Sequence, residues 1–440
     1  MPLKRSLRCT TIAAAILAAG FLALCARPAV SDGLAPSPNR EGDPHLIRII
    51  SSLPRTGSAR QQTDTIVNGI KMALQEANDR VDDFKIDYQD RDDATASAGE
   101  WTPELETSNA KAAAADRDCM VYIGPYNSGA AKISMPILNE ATLDSVTTGL
   151  LMISPSNTTP GLTKKNPYDS REPGVYRPTG KINYVRVVPT DDLQGPLGAD
   201  WAKQMGAKRV FVLDDQEVYG QGLAQMFAQR CDDIGLTVIG YDSVDAHELE
   251  FRSLMTRIKF LHPDLIYFGG TTETKGGQLA KDMVAVGIDA KLMVPDGCME
   301  QGFIESAGAE NLNNRCFVTF GGLPSEAFET GDRAFDEKHK EQKQFVDHYK
   351  QQFGHLPEAY AVYGYEAAKV ALEAIHRAGK KDRAAIIAAC LAIKDFHGAL
   401  GTWSFETDKN GDPTGDTTLH RLSGNVVRGG KFEFVKTLGD

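Results

Sequence analysis

Apolar positions along the chain fall into short runs separated by longer stretches of helical period. Residues 46–53, 84–88, 120–123 and 150–153 are compact apolar or alternating segments, the pattern of strands. Between them, 64–78, 104–115 and 130–141 carry apolar residues at helix spacing, and Ile66, Ile70 and Leu74 show it best. The last of these is predicted helical despite Pro136. Short strands alternating with helices of this length imply βαβ crossovers and a parallel sheet. Residues 155–181, with five prolines, break the rhythm and read as a long surface loop before a crossover. The rhythm then restarts, with strands expected at 184–188, 209–213, 237–241, 265–268 and 291–294. Helices are expected at 195–205, 222–234, 250–259 and 275–286. After a strand at 316–320 the pattern becomes helical: one long charged helix over 333–353, then 359–378 and 383–391. From about 401 the chain reads as strands joined by turns, at 402–405, 419–426 and 431–435. The prediction is an α/β chain with two doubly wound parallel-sheet lobes.

The first residues follow another logic. Lys4, Arg5 and Arg8 precede an apolar run from Ile12 to Leu24, which Arg27 and Pro28 end. That run is short for a membrane span and fits the apolar core of a secretory signal, with cleavage expected before Asp32. Residues 1–31 are therefore read as a signal peptide and 32–45 as a flexible leader. Cys25 invites acylation, although Leu24 is larger than the residue such a signal wants before its cysteine. Removing 1–31 takes away four basic and no acidic side chains, moving the net charge from −11 to −15. No basic stripe offsets that balance, which excludes nucleic-acid binding. Five cysteines remain, and none has metal-ligand or C-x-x-C spacing. Cys298 and Cys316, each beside a predicted strand, are the pair expected if a disulfide forms; two buried thiols are the alternative.

In parallel α/β sheets ligands sit outside the carboxyl ends of the strands, where loops enter helices. Those loops share a character here. Ser51 to Ser58, Gly124-Pro125-Tyr126-Asn127-Ser128-Gly129 and Ser154-Pro155-Ser156-Asn157-Thr158-Thr159-Pro160 offer hydroxyls and helix-start N–H groups suited to an anion. Ordinary helix capping would use the same residues. The later loops, Asp214 to Gly222, Gly269-Gly270-Thr271-Thr272-Glu273 and Pro295-Asp296-Gly297, add carboxylates and Tyr219. Asp296 at a strand end could face an ammonium group or simply form a turn. No G-x-G-x-x-G, G-x-x-x-x-G-K-[ST], H-E-x-x-H or G-x-S-x-G occurs, so no cofactor, metal or hydrolase signal is present. Residues 408–412 resemble part of a calcium loop but lack its glycine and distal glutamate, and are read as a turn.

With Leu150-Leu151-Met152-Ile153-Ser154-Pro155, Tyr219-Gly220-Gln221-Gly222, Tyr267-Phe268-Gly269-Gly270 and Trp403-Ser404-Phe405 in place, the chain resembles the branched-chain amino-acid-binding proteins of ABC importers. The resemblance implies a type I periplasmic binding fold with three hinge crossings. The lobes would take 46–186 with 318–397, and 187–317 with 398–440. It implies an extracytoplasmic, monomeric binder of an amino acid or related small molecule, partnered by ABC permease subunits, without cofactor or catalysis. Carried over, Ser128 and Thr158 would hold the ligand carboxylate, Asn157 would contact it through its backbone, Asp296 would hold the ammonium and Tyr219 would cover the ligand. Gln62 and Thr271 stand near positions where relatives place aromatics, which implies a more polar side-chain pocket. The alternative is a sensor of the same fold that signals to a regulator instead of transporting.

Overall fold

The computed structural model describes residues 42–166 and 169–439. The expected signal peptide, most of the leader and Cys25 lie outside the described residues. The chain begins with β1 (Leu46–Leu53), α1 (Arg60–Glu76), β2 (Arg80–Val81), β3 (Phe84–Asp92), α2 (Pro103–Ala115), β4 (Cys119–Ile123) and α3 (Ser128–Asn139). A small hairpin, β5 (Thr142–Leu143) with β6 (Val146–Thr147), leads to β7 (Leu151–Ser154) and β8 (Tyr184–Arg186). Next come α4 (Asp191–Gln204), β9 (Arg209–Asp214), α5 (Val218–Ile234), β10 (Thr237–Ser243), α6 (Arg252–Lys259), β11 (Leu265–Gly269), α7 (Gly276–Ala285) and β12 (Lys291–Val294). Then α8 (Gln301–Ala307), α9 (Ala309–Leu312) and β13 (Cys316–Phe320) precede α10 (Arg333–Lys338), α11 (Lys340–Phe353), α12 (Ala361–Ala378) and α13 (Arg383–Leu391). The chain closes with β14 (Phe396–Gly398), β15 (Gly401–Trp403), β16 (Phe405–Thr407), β17 (Pro413–Thr417), β18 (Leu422–Arg428) and β19 (Lys431–Leu438).

Two sheets organise these elements. One runs β2-β3-β1-β4-β7-β8, the other β10-β9-β11-β12-β13-β18-β19. All neighbours are parallel except β2, β18 and β19 against their partners. The central strands are buried along nearly their whole length, as in β4 and β11, because helices cover both faces of each sheet. In the first lobe, α1 packs its buried Ile66, Ile70 and Ala73 toward α12. Glycine is needed on both sides of that contact. A Cβ on Gly69 would lie 2.3 Å from the Ala361 carbonyl, and one on Gly364 2.3 Å from the Ile66 carbonyl.

The structure corrects several expectations. The strand expected over 184–188 and grouped with the second series ends at Arg186 and pairs with β7 at the edge of the first sheet, in keeping with the first-lobe bound at 186. The boundary expected between 317 and 318 would cut β13, whose register on β12 and β18 continues through it; the chain leaves that sheet only after Phe320. Residues from 398 to 417 also pack on the first lobe: the Trp403 indole donates to Glu366 of α12 at 2.5 Å, and Arg186 pairs with Asp416 at 2.8 Å. The long helix expected over 333–353 breaks at His339, whose backbone leaves the helical region. Its ring packs 4.8 Å from Phe335 and accepts from Arg421 at 3.2 Å, contacts that a continuous helix would redirect. Cys298 and Cys316 form no disulfide. Both are buried free thiols, and the Cys298 thiol points to the Gly270 carbonyl at 3.7 Å. Residues 408–412 form the turn between β16 and β17, the Asp408 carboxylate accepting the Asn410 and Asp412 N–H groups. Among the described residues no helix is long and apolar enough to cross a membrane.

Candidate functional site

The carboxyl ends of both parallel sheets open on one cleft, which with its mouth encloses about 500 Å³. The first lobe contributes Glu100 and Trp101 from the loop after β3, Tyr126 to Gly129 after β4, and Ser156 after β7. The second contributes Asp215, Glu217 and Tyr219 after β9, Thr271, Glu273 and Thr274 after β11, and Asp296 and Gly297 after β12. Tyr360, just before α12, completes the wall.

Four of the expected residues meet here: Ser128, Tyr219, Thr271 and Asp296. Ser128 opens α3, and the preceding Asn127 does not cap that helix. Its first-turn N–H groups are thus uncapped by any side chain, and the helix dipole adds partial positive charge there. The Asn127 amide instead reaches across the lobes to the Glu273 carboxylate at 2.7 Å. Asp296 sits at the start of a short 3₁₀ turn and is 2% exposed. It accepts from the Gln194 amide at 2.7 Å and from the hydroxyls of Tyr219 and Tyr360. Burial raises its pKa, and these three donors work against the rise.

Three expected residues do not line the cleft. Gln62 is fully buried, with its amide donating to the Met299 carbonyl and accepting the Tyr360 N–H, each at 3.2 Å. It joins the two lobes and is not part of a side-chain pocket. Asn157 points away, its amide bonded to the Pro125 and Tyr126 carbonyls at 3.0 and 2.9 Å, so it ties the two first-lobe loops together. Thr158 is buried behind them, its carbonyl accepting the Asp191 N–H at 3.0 Å. From that loop it is Ser156 that reaches the cleft, its hydroxyl donating to the Tyr126 carbonyl at 3.0 Å.

The sequence reading missed the acidity of the walls. Glu100, Asp215, Glu217, Glu273 and Asp296 line the cleft, and no lysine, arginine or histidine does among the described residues. Burial, aided by the charges of Glu100, Glu217 and Asp215, pushes Glu273 up to about 8, against the Asn127 hydrogen bond. Burial likewise lifts Asp215 to about 7, opposed by the Thr274 hydroxyl and the Glu217 N–H. Asp191, behind Thr158, is raised by burial and by the Asp296 charge. Glu217 and Glu273 did stand in loops singled out as candidates. Glu100, Trp101 and Tyr360 carried no local signal, since only the folded chain brings them to the cleft.

Two α/β lobes whose strand-end loops close on one polar cleft define a solute-binding architecture. The chain belongs to the periplasmic binding protein family, whose pattern matches residues 47–428. It is similar to the Leu/Ile/Val-binding protein BraC3 of Rhizobium johnstonii, 27% identical over 379 residues that cover 84% of this chain and 88% of that protein. Among solved structures it superposes on the leucine-binding protein LivK of Thermotoga maritima with a TM-score of 0.72 and 24% identity, covering 89% of this chain and 98% of that one. A solute-binding protein of R. palustris in complex with benzoate shares the fold at a TM-score of 0.68 and 18% identity, over 89% of this chain and 96% of its own. The chain is thus a ligand-binding protein, and its family implies an extracytoplasmic location.

Proposed function

We propose that this protein binds a free amino acid, or a close amino-acid analogue, between its lobes and delivers it to the membrane permease of an ABC importer. One observation carries the reading: the cleft sets the open N-terminus of α3 with Ser128 on one lobe against the buried Asp296 carboxylate on the other. A zwitterion answers both. Its carboxylate meets helix N–H groups and a hydroxyl, while its ammonium meets a carboxylate that water cannot screen. The names of the relatives support the same ligand class.

Delivery requires a closed form that differs from the open one, and closure here has named contacts. Asn127 to Glu273, Tyr360 to Asp296 and Gln62 to Met299 all bridge the lobes. A ligand that engages both walls favours this closed arrangement by its differential affinity for it.

The test is thermal unfolding of the purified protein against a panel of amino acids, amides and aromatic acids. Stabilisation by at least one amino acid is expected. Stabilisation by aromatic acids alone, with every amino acid inert, would overturn the reading.

A further inference from the structure

Resting on that reading and narrowing it, we infer that the ligand carries a second cation beyond its α-ammonium, as in a diamino or guanidino amino acid, seated among Glu100, Glu217 and Glu273 beside Trp101. Asp296 with its tyrosine and glutamine partners suffices for one ammonium. The remaining acidic wall has no such use in binding a simple aliphatic amino acid.

The geometry of that wall points to a ligand. Glu273 is 8% exposed, its Oε2 takes the Asn127 amide, and its buried Oε1 has no partner. Glu217 starts α5 without capping it. Among the described residues none of these three carboxylates is ion-paired within the chain. Glu100 and Glu217 are half-buried; the unpartnered oxygen of the buried Glu273 is the costly one, and a cation placed among the three offsets that cost.

Closure sharpens the point. Glu100 comes from the first lobe, Glu217 and Glu273 from the second, so closing the empty cleft sets carboxylates against one another, where they repel if ionised and Glu273 otherwise keeps its proton. A cation between them converts that repulsion into attraction in the closed form only, the differential interaction that couples binding to closure. Trp101, Tyr126 and Tyr219 line the same cleft and add aromatic faces suited to a cation. An aliphatic side chain placed there would strip water from the carboxylates and return nothing.

Calorimetric titration of the intact protein with L-lysine, L-norleucine and cadaverine tests this. Norleucine keeps the α-amino acid and the chain but lacks the distal charge; cadaverine lacks the carboxylate. Lysine should bind at least tenfold more tightly than norleucine. Glu273→Gln and, independently, Glu217→Gln should each shrink that ratio at least fivefold. Norleucine binding as tightly as lysine, or a ratio unmoved by both variants, overturns the second cation and leaves the amino-acid reading intact. Cadaverine binding with neither amino acid bound overturns the amino-acid reading itself.

Discussion

Replacing Asp296 by Asn preserves its shape and removes its charge, which separates binding from stability. Gln194 and Tyr219 both donate to Oδ1, while Tyr360 donates to Oδ2. An Asn oxygen keeps the first two bonds, and the Tyr360 hydroxyl can turn to accept from the new amide. The ligand-free fold should therefore not suffer. Burial raises Asp296 above its ordinary 3.8, so the folded state keeps this proton to a higher pH than the unfolded state does. That contribution favours folding least once the pH is above the folded value, where the charge must be buried. The charge of Asp296 also raises Asp191, so neutralising it removes a repulsion. At pH 7 the ligand-free variant should melt at the same temperature as the wild type or higher. Affinity should move the other way. A charged hydrogen bond contributes about 1.5–3 kcal/mol, equivalent to about 10- to 150-fold in Kd. At a ligand concentration of 100 times the wild-type Kd, the wild type gains about 2.7 kcal/mol of stability, and a tenfold weaker variant about 1.4 kcal/mol. Calorimetric titration and thermal unfolding, each with and without an amino acid, read both effects. Unchanged affinity, or a fall in ligand-free stability that matches the loss of binding, would refute the reasoning.

Two further outcomes are expected. Glu273 at about 8 and Asp215 at about 7 hold protons in the empty cleft that a cationic ligand must displace. Affinity for lysine should therefore rise from pH 6 to 8 and level off above it. The groups acting on Glu273 are Glu100, Glu217, Asp215 and Asn127, and His247 and Lys275 act on Glu100; a flat or falling profile in a pH series of titrations would contradict this. Arg186→Met should destabilise the fold by about 3–5 kcal/mol, because the fully buried guanidinium pairs with Asp416 and donates to the Asn157 and Thr159 carbonyls. Urea unfolding showing a loss below about 1 kcal/mol would contradict that buried-pair argument.

Most of the architecture was legible because each lobe is built from local patterns. β1, β12, β13 and α13 coincide with their expected bounds, and most other elements differ by a few residues at their ends. Their periodicity reflects which face is buried, and that constraint is written residue by residue. Errors fell where tertiary contacts override the local pattern. His339 interrupts an otherwise helical run because its ring and Arg421 meet outside the helix. Cys298 and Cys316 sit near strands yet remain separate thiols.

The candidate site divides in the same way. Ser128, Tyr219, Thr271 and Asp296 reach the cleft because each follows a strand that ends there, and strand ends can be read locally. Asn157 and Thr158 follow such a strand too, but their loop turns them into the lobe, and only Ser156 faces the cleft. The sequence alone determined the two-lobed α/β plan, the acidic balance of the chain and the loops from which a site could be made. Tertiary structure alone decided which carboxylates face one another, that Gln62 joins the lobes, and that Glu100, Trp101 and Tyr360 belong to the cleft. The reason is physical: burial periodicity is a property of neighbours along the chain, whereas a site between lobes is a property of segments hundreds of residues apart, joined only when both sheets have formed.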